Sequence, residues 1–357
     1  MRSLFSKRLT ILCLTIFLFV AGFAVSTADE KLYVHFIDVG QGDATVLHGY
    51  DFTVLIDTGR HDRTDLISYL KTLSIDYFDL VVVTHPHADH IGQFPDVLDK
   101  FEVAEVWMSG SVHTTPAFKR ALEALLRHED VIYREPRAGE SYEYGSLHIK
   151  VLNPKHLIGD LHEDCIVLRL SYGEVSFIFT GDAEEPTEIS IIERGYILES
   201  DILQLGHHGS KTSTSQDFID AVGPSLGIYS AGRNNPYGHP HIEVLRRLYL
   251  NDIEIMGTDI CGTIIVITDG LDYDVIVEID SCLMGNGEYC IDINTASFER
   301  LQEIVHIGPS RADELIELRP FDRVEDLVGI SGIGSARIQD ILEQNLACIP
   351  HAAEEEE

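Results

Sequence analysis

Over residues 31–280 short apolar runs alternate with stretches of helical periodicity. The runs at 32–39, 44–47, 53–57, 80–84, 165–171, 176–180 and 264–268 are rich in β-branched side chains and bounded by turn residues, the signature of strands. Apolar positions recurring every three or four residues predict helices over 65–73, 94–100, 116–128, 185–194 and 242–251. Interleaved strands and helices, with paired strands at each end, predict an α/β unit of mixed sheets covered by helices. From 291 to 347 the rhythm changes to short helices broken by glycine-containing turns, which predicts a small all-α unit. The expected organisation is a leader at 1–28, the α/β unit at 29–280, a linker at 281–290, the helical unit at 291–350 and an acidic tail at 351–357.

The leader carries Arg2, Lys7 and Arg8, then an apolar run over 9–25, then Ser26, Thr27 and Ala28. That order describes a secretory signal. The run is at the short edge for a membrane span, so a retained N-terminal anchor is the alternative, and the only route to the membrane. Either places the remainder outside the cytoplasm, secreted or tethered at the cell surface. Disulfides are permitted there. A bridge between Cys282 and Cys290 is expected, with Cys165 and Cys261 as free, buried thiols. Charge bears on partners: 59 acidic residues oppose 26 basic ones, for a net −33, and only eight of the basic residues are lysine. Such a chain repels polyanions, so a nucleic-acid role begins at a disadvantage.

Candidate chemistry sits at the ends of the apolar runs. His85-Pro86-His87-Ala88-Asp89-His90 directly follows the run at 80–84. Imidazoles and a carboxylate crowded onto one strand-end loop can converge on a cation. Asp182, the pair His207-His208 and His239 stand at the ends of later runs, and strand ends in a mixed sheet gather on one rim. Imidazole with carboxylate suits zinc, while an oxygen-rich shared site also accepts manganese. His61, His113, His128 and His156 have no supporting pattern and read as surface.

These phrases, with Asp57 in Leu55-Ile56-Asp57-Thr58-Gly59, resemble the metallo-β-lactamase fold. Three further stretches carry a narrower likeness, to the hydrolase domain of ComEC/Rec2-type competence proteins. They are Phe36-Ile37-Asp38-Val39-Gly40-Gln41-Gly42-Asp43, His207-His208-Gly209-Ser210-Lys211 and Asn235-Pro236-Tyr237-Gly238-His239-Pro240. The resemblance implies an αββα sandwich with two divalent metal ions, zinc or manganese, and no small organic cofactor. It implies His85 and His87 on the first metal, Asp89, His90 and His207 on the second, and Asp182 bridging them. Asp89 or His239 would protonate a leaving oxygen. Asp57 would stand behind the ligands, orienting an imidazole through its other nitrogen, with Asp43 and His208 in the same supporting layer. Ser210 and Lys211, with Thr212, would contact phosphate. The fold's further histidine, just before the strand at 165–171, is replaced here by Leu161-His162-Glu163-Asp164, so the alternatives are His162 or Asp164 in its place, or a first metal with one ligand fewer.

Residues 291–349 resemble the tandem helix-hairpin-helix region of ComEA-type competence proteins. Ile307-Gly308 in the first copy and Gly332-Ile333-Gly334 in the second form the turns. A glycine turn lets backbone amides at a helix start approach a phosphate oxygen, without reading bases. Gly308, Arg311, Gly332, Gly334 and Arg337 are the expected DNA contacts. The first turn lacks its first glycine, and five arginines face twelve carboxylates over 288–350, so weak, salt-sensitive binding is expected. Together the features predict a metal-dependent hydrolase of phosphodiester bonds, a DNA nuclease whose hairpins hold the strand. The alternatives are a hydrolase of a small ester, lactone or cyclic phosphate, and a non-catalytic DNA-binding adaptor.

Overall fold

A computed structural model of the chain describes residues 30–279, 291–344 and 346–349. Two mixed sheets pack face to face. Edge to edge, the first runs Tyr273–Val277, Ile264–Thr268, Leu32–Phe36, Thr45–His48, Thr53–Ile56, Tyr77–Val83, Glu102–Met108 and Ile132–Arg134. The second runs Glu254–Gly257, Leu226–Tyr229, Ile202–Gln204, Val175–Phe179, Val167–Tyr172, Leu147–Asn153 and Ser141–Tyr144. Alternation along each strand divides its side chains between two cores. Leu80 and Val82 face the second sheet, where they meet residues such as Leu168, Phe177 and Ile228. Val81 and Val83 face outward onto Leu66, Leu70, Phe94 and Val97 of the covering helices. A matching outer layer, built on Phe218, Val244 and Leu248, covers the second sheet. The order of layers is helix, sheet, sheet, helix.

Helices fill the parallel crossovers. Pro116–Arg127 shows why: Thr115 accepts the Phe118 N–H at its start, proline occupies the first turn, and Ala117, Phe118, Ala121 and Ala124 form one buried stripe. The parallel strands Thr53–Ile56, Tyr77–Val83, Val175–Phe179, Ile202–Gln204 and Leu226–Tyr229 deliver their following loops to one rim. Several strands stop short of their apolar runs. Residues 37–39 lie past the strand: the Ile37 N–H makes the last bond of the pairing, to the Ala44 carbonyl at 3.0 Å, before the chain turns at 40–43. Likewise the strand expected at 165–171 begins only at Val167.

Residues 291–349 form their own core on Ile293, Leu301, Ile307, Leu315, Leu327, Ile333 and Ile341. The unit is helical, as expected, and a two-residue parallel pairing of Ile291–Asp292 with Ala347–Cys348 ties its two ends together. The Arg246 guanidinium, largely buried on the helix Ile242–Tyr249, donates to the Ala347 carbonyl and joins the two units. Cys165 is free and buried. Cys261, expected free, is disulfide-bonded, as is Cys348. The expected Cys282–Cys290 bridge, the leader, the linker and the acidic tail lie outside the described residues. Among the described residues no helix is long and apolar enough to cross a membrane.

Candidate metal centre

Asp182, at the end of the Val175–Phe179 strand, occupies the middle of the rim and is buried. Its two oxygens face two groups of imidazoles. Oδ2 lies 3.3 Å from His85 Nε2 and 4.0 Å from His87 Nδ1. Oδ1 lies 3.1 Å from His90 Nε2 and 3.6 Å from His208 Nε2. Asp89 joins the second group, its Oδ2 lying 3.3 Å from His208 Nε2. Asp182 Oδ1, His90 Nε2 and His208 Nε2 are all buried and make no hydrogen bond. Three buried lone-pair donors converging without partners cost several kcal/mol unless a cation satisfies them. The donor set therefore fits two divalent cations sharing Asp182.

The His90 and His208 rings are held by their other nitrogens. Asp57 accepts from the Thr84 N–H and hydroxyl, both at 2.8 Å, and from His90 Nδ1 at 2.8 Å, which aims His90 Nε2 at Asp182. His208 Nδ1 donates to the Ser230 carbonyl at 2.9 Å. Asp43 stands behind both rings, 3.5 Å from His208 Nδ1 and 3.9 Å from His90 Nδ1, and accepts from Gln204 Nε2 at 3.0 Å. Such partners fix tautomer and ring direction.

The pair His207-His208 departs from the expected roles. Both take left-handed backbone angles, φ 49° and 58°, so two consecutive side chains diverge. His208, expected in the supporting layer, points at Asp182 Oδ1 beside Asp89 and His90. His207, expected on that side, instead puts Nε2 3.8 Å from Asp182 Oδ2, the oxygen facing His85 and His87. Its Nδ1 donates to Glu184 Oε1 at 3.0 Å, and Thr212 donates to the same oxygen at 2.7 Å. Sequence reasoning missed Glu184; its one signal is an acidic residue two positions after Asp182. His162 Nδ1 lies 3.6 Å from Glu184 Oε1, with its ring centroid 5.1 Å from that of His87. Asp164 is turned away, accepting the Ile158 and Gly159 N–H groups at 2.7 and 2.9 Å.

Burial and charge set the protonation states. Burial alone would raise the Asp182 carboxyl, but the imidazoles of His90, His208 and His85 outweigh it and hold it well below the usual range. Asp89 is depressed in the same way: burial opposes, and the His208 and His90 rings prevail. Burial, then the neighbouring His90, drives His85 down to about 3. His239 lies 5.5 Å from the His207 ring and is pushed down to about 4 by burial and by His208. At neutral pH His239 is thus an uncharged hydrogen-bonding group rather than a stored acid. The cleft outside these side chains measures about 360 Å³ and is lined by His87, Asp89, His162, His207, His208 and His239 among others.

The remaining expected contacts lie elsewhere. Ser210 is buried and bonded to Thr212 at 2.9 Å, and Lys211 is exposed; neither lines the cleft. In the helical unit Gly308 caps the helix Pro309–Leu318, and a side chain at Gly308 or Gly334 would meet open space. Gly332 takes φ +75° under the Arg311 guanidinium. Arg311 donates to the Ser331 and His306 carbonyls, and Arg337 to the Gly332 carbonyl. Both arginines brace the turn.

A model of the metallo-beta-lactamase superfamily matches residues 37–233, and a helix-hairpin-helix motif matches residues 288–344. ComE operon protein 3 of Bacillus subtilis (strain 168) is 32% identical over 274 residues, covering 71% of this chain and 35% of that protein. Recombination protein 2 of Haemophilus influenzae is 31% identical over 263 residues, covering 71% and 30%. A deoxyribonuclease of Thioalkalivibrio sp. (strain K90mix) is 43% identical over 60 residues, 17% of each chain. The chain spans about a third of the length of the first two relatives.

Proposed function

We propose, from the premise that this chain belongs to the metallo-beta-lactamase superfamily, that it is a metal-dependent phosphodiesterase acting on DNA outside the cytoplasm. The observation that carries this reading is a dinuclear donor set opening into a cleft, on the same chain as a helix-hairpin-helix unit. Two divalent cations, zinc or manganese, supply a Lewis acid and an acidified water when bound. The chain's own residues do the rest. Asp182 holds both positions at once; His85, His87 and His207 serve one side, and Asp89, His90 and His208 the other. Asp57, Ser230 and Glu184 fix the rings that must not turn. His239, at the cleft wall, offers a hydrogen bond to a phosphate or leaving oxygen. The glycine turns at Gly308 and Gly332–Gly334 present backbone amides to a phosphate and keep the strand near the cleft. The leader at 1–28 supports export, cleaved or retained as an anchor.

The test uses purified residues 29–357 with added manganese or zinc. Cleavage of plasmid or single-stranded DNA is expected, falling at least a hundredfold in Asp89→Ala and Asp182→Ala, an order set by loss of metal-based catalysis. Metal-loaded protein that leaves DNA intact while opening lactones or a small phosphodiester would refute the DNA substrate.

A further inference from the structure

The loop between the Leu226–Tyr229 strand and the Ile242–Tyr249 helix holds one aromatic ring at the mouth of the metal cleft. Asn235 braces it from within: Nδ2 donates to the Gly232 carbonyl at 2.9 Å, and Oδ1 accepts the Tyr237 and His239 N–H groups at 3.1 and 3.0 Å. The loop is seated on a second turn, with the Gly232 N–H donating to Gln41 Oε1 at 3.2 Å. A Cβ at Gly232 would come within 2.6 Å of the Gln41 backbone nitrogen, so the seat is close. On this frame Tyr237 lines the cleft and is still 57% exposed. Its ring lies 25° from parallel to that of His239, at 5.8 Å. A large ring held in water on a braced loop adds little to folding. Its free face is suited to a flat aromatic ligand.

Cations gather on the same rim. The Arg60 guanidinium lies within electrostatic reach of both Asp89 and Tyr237. Arg63 lies over Gly40, where an added Cβ would stand 3.1 Å from Nη1. Arg233 follows Gly232 in the braced loop and is exposed, its Nε donating to the Asp259 carbonyl at 3.0 Å. Arg60 and Arg63 pair with Asp62 and Asp65, at 2.9 and 2.5 Å, in solvent, where such pairs are weak and exchange readily for phosphate. Arg60 near the ring, Arg63 over the turn that seats the loop, and Arg233 within the loop give this rim three cations in a chain of net charge −33.

We propose that Tyr237 with Arg60, Arg63 and Arg233 forms the entry track for an unpaired DNA strand. A base stacks on Tyr237, and its flanking phosphates follow the arginines into the metal cleft. Stacking of this kind accepts any base, because every base has a π-face. It excludes intact duplex, whose bases are already stacked on one another. The inference rests on the phosphodiesterase reading above and narrows its substrate.

Steady-state kinetics of the manganese-loaded chain on a single-stranded oligonucleotide, its duplex and bis(p-nitrophenyl) phosphate test it. In Tyr237→Ala the KM for the single strand is expected to rise about thirtyfold, the middle of the range for one base–aromatic stack. The ratio of single-strand to small-phosphodiester kcat/KM should fall by the same factor, and Tyr237→Phe should restore it. Arg60→Gln combined with Arg233→Gln should raise the single-strand KM and flatten its salt dependence. If the wild type cuts the strand and Tyr237→Ala leaves that ratio within twofold, the track is wrong and the phosphodiesterase reading stands. A wild type that cuts the duplex but not the strand overturns the track alone; one that cuts neither DNA nor the small phosphodiester overturns both.

Discussion

On the proposed ligand set, Glu184 is a carboxylate that sets the direction of one ring, that of His207. Its Oε1 takes the His207 Nδ1 proton at 3.0 Å, as Asp57 takes that of His90 at 2.8 Å. A ring fixed this way presents a basic Nε2 in one direction; released, it loses rotational order and affinity together. Glu184→Gln is therefore expected to weaken one of two metal sites by roughly ten- to a hundredfold. Asp182→Asn should weaken both, since its two oxygens face both groups. Competition with a chromophoric chelator separates the cases: one weakened and one unchanged affinity for Glu184→Gln, two weakened for Asp182→Asn. Equal affinities in Glu184→Gln and wild type would show that His207 is not a ligand. Neither Glu184 nor the exchanged roles of His207 and His208 was legible in the sequence. Ligand identity follows from residue type, but ligand direction here depends on two consecutive left-handed residues, which no side-chain pattern encodes.

Elements were more legible than the contacts between them. Three of the strands that feed the rim, Thr53–Ile56, Tyr77–Val83 and Val175–Phe179, read clearly because they are mostly buried and nearly continuous in apolar residues, as at Leu80–Val83. Ile202–Gln204 and Leu226–Tyr229, equally buried but only three and four residues long, were not legible. Edge strands such as Ile132–Arg134 and Ser141–Tyr144 are mostly exposed, and their mixed polarity concealed them. A polar tie between elements is equally hidden. His35, on the Leu32–Phe36 strand, is 6% exposed and bonds through Nδ1 to the Tyr69 hydroxyl of the helix Asp65–Thr72, at 2.8 Å. Burial, then the charge of His48, lowers its pKa from 6.5 to about 4. The folded state thus resists a proton that the unfolded chain accepts. Its contribution is complete above pH 6.5 and is lost as pH falls from there toward 4. The shift corresponds to roughly 3 kcal/mol, or on the order of 5–10 °C in Tm for a domain of this size. In chelator-treated protein, His35→Gln should lose less Tm than the wild type between pH 7 and 4. Parallel curves for the two proteins would show that His35 does not carry this acid sensitivity.

At the scale of the whole molecule, a net charge of −33 and the proposed DNA substrate pull against each other over different distances. Repulsion between an acidic chain and a polyanion is long-ranged, and salt shortens it from about 30 Å at 0.01 M to about 8 Å at 0.15 M. Attraction at the arginine rim and the glycine turns is local and weakens with salt through counterion release, by roughly 0.7 log units per decade for each phosphate on a single strand. In the helical unit Arg311 and Arg337 are engaged with backbone carbonyls, so the turns add amides more than net positive charge. Three rim arginines then imply a slope of about −2 once repulsion is screened, far shallower than that of a basic DNA-binding protein. Below that regime affinity should fall as salt is removed, because the repulsion regains its range while the contacts stay few. Binding of a labelled single strand to the Asp182→Asn chain, which limits cleavage, is expected to peak at an ionic strength on the order of 0.1 M. A monotonic loss of affinity from the lowest salt, with a slope steeper than about −5, would require many more phosphate contacts than this surface provides.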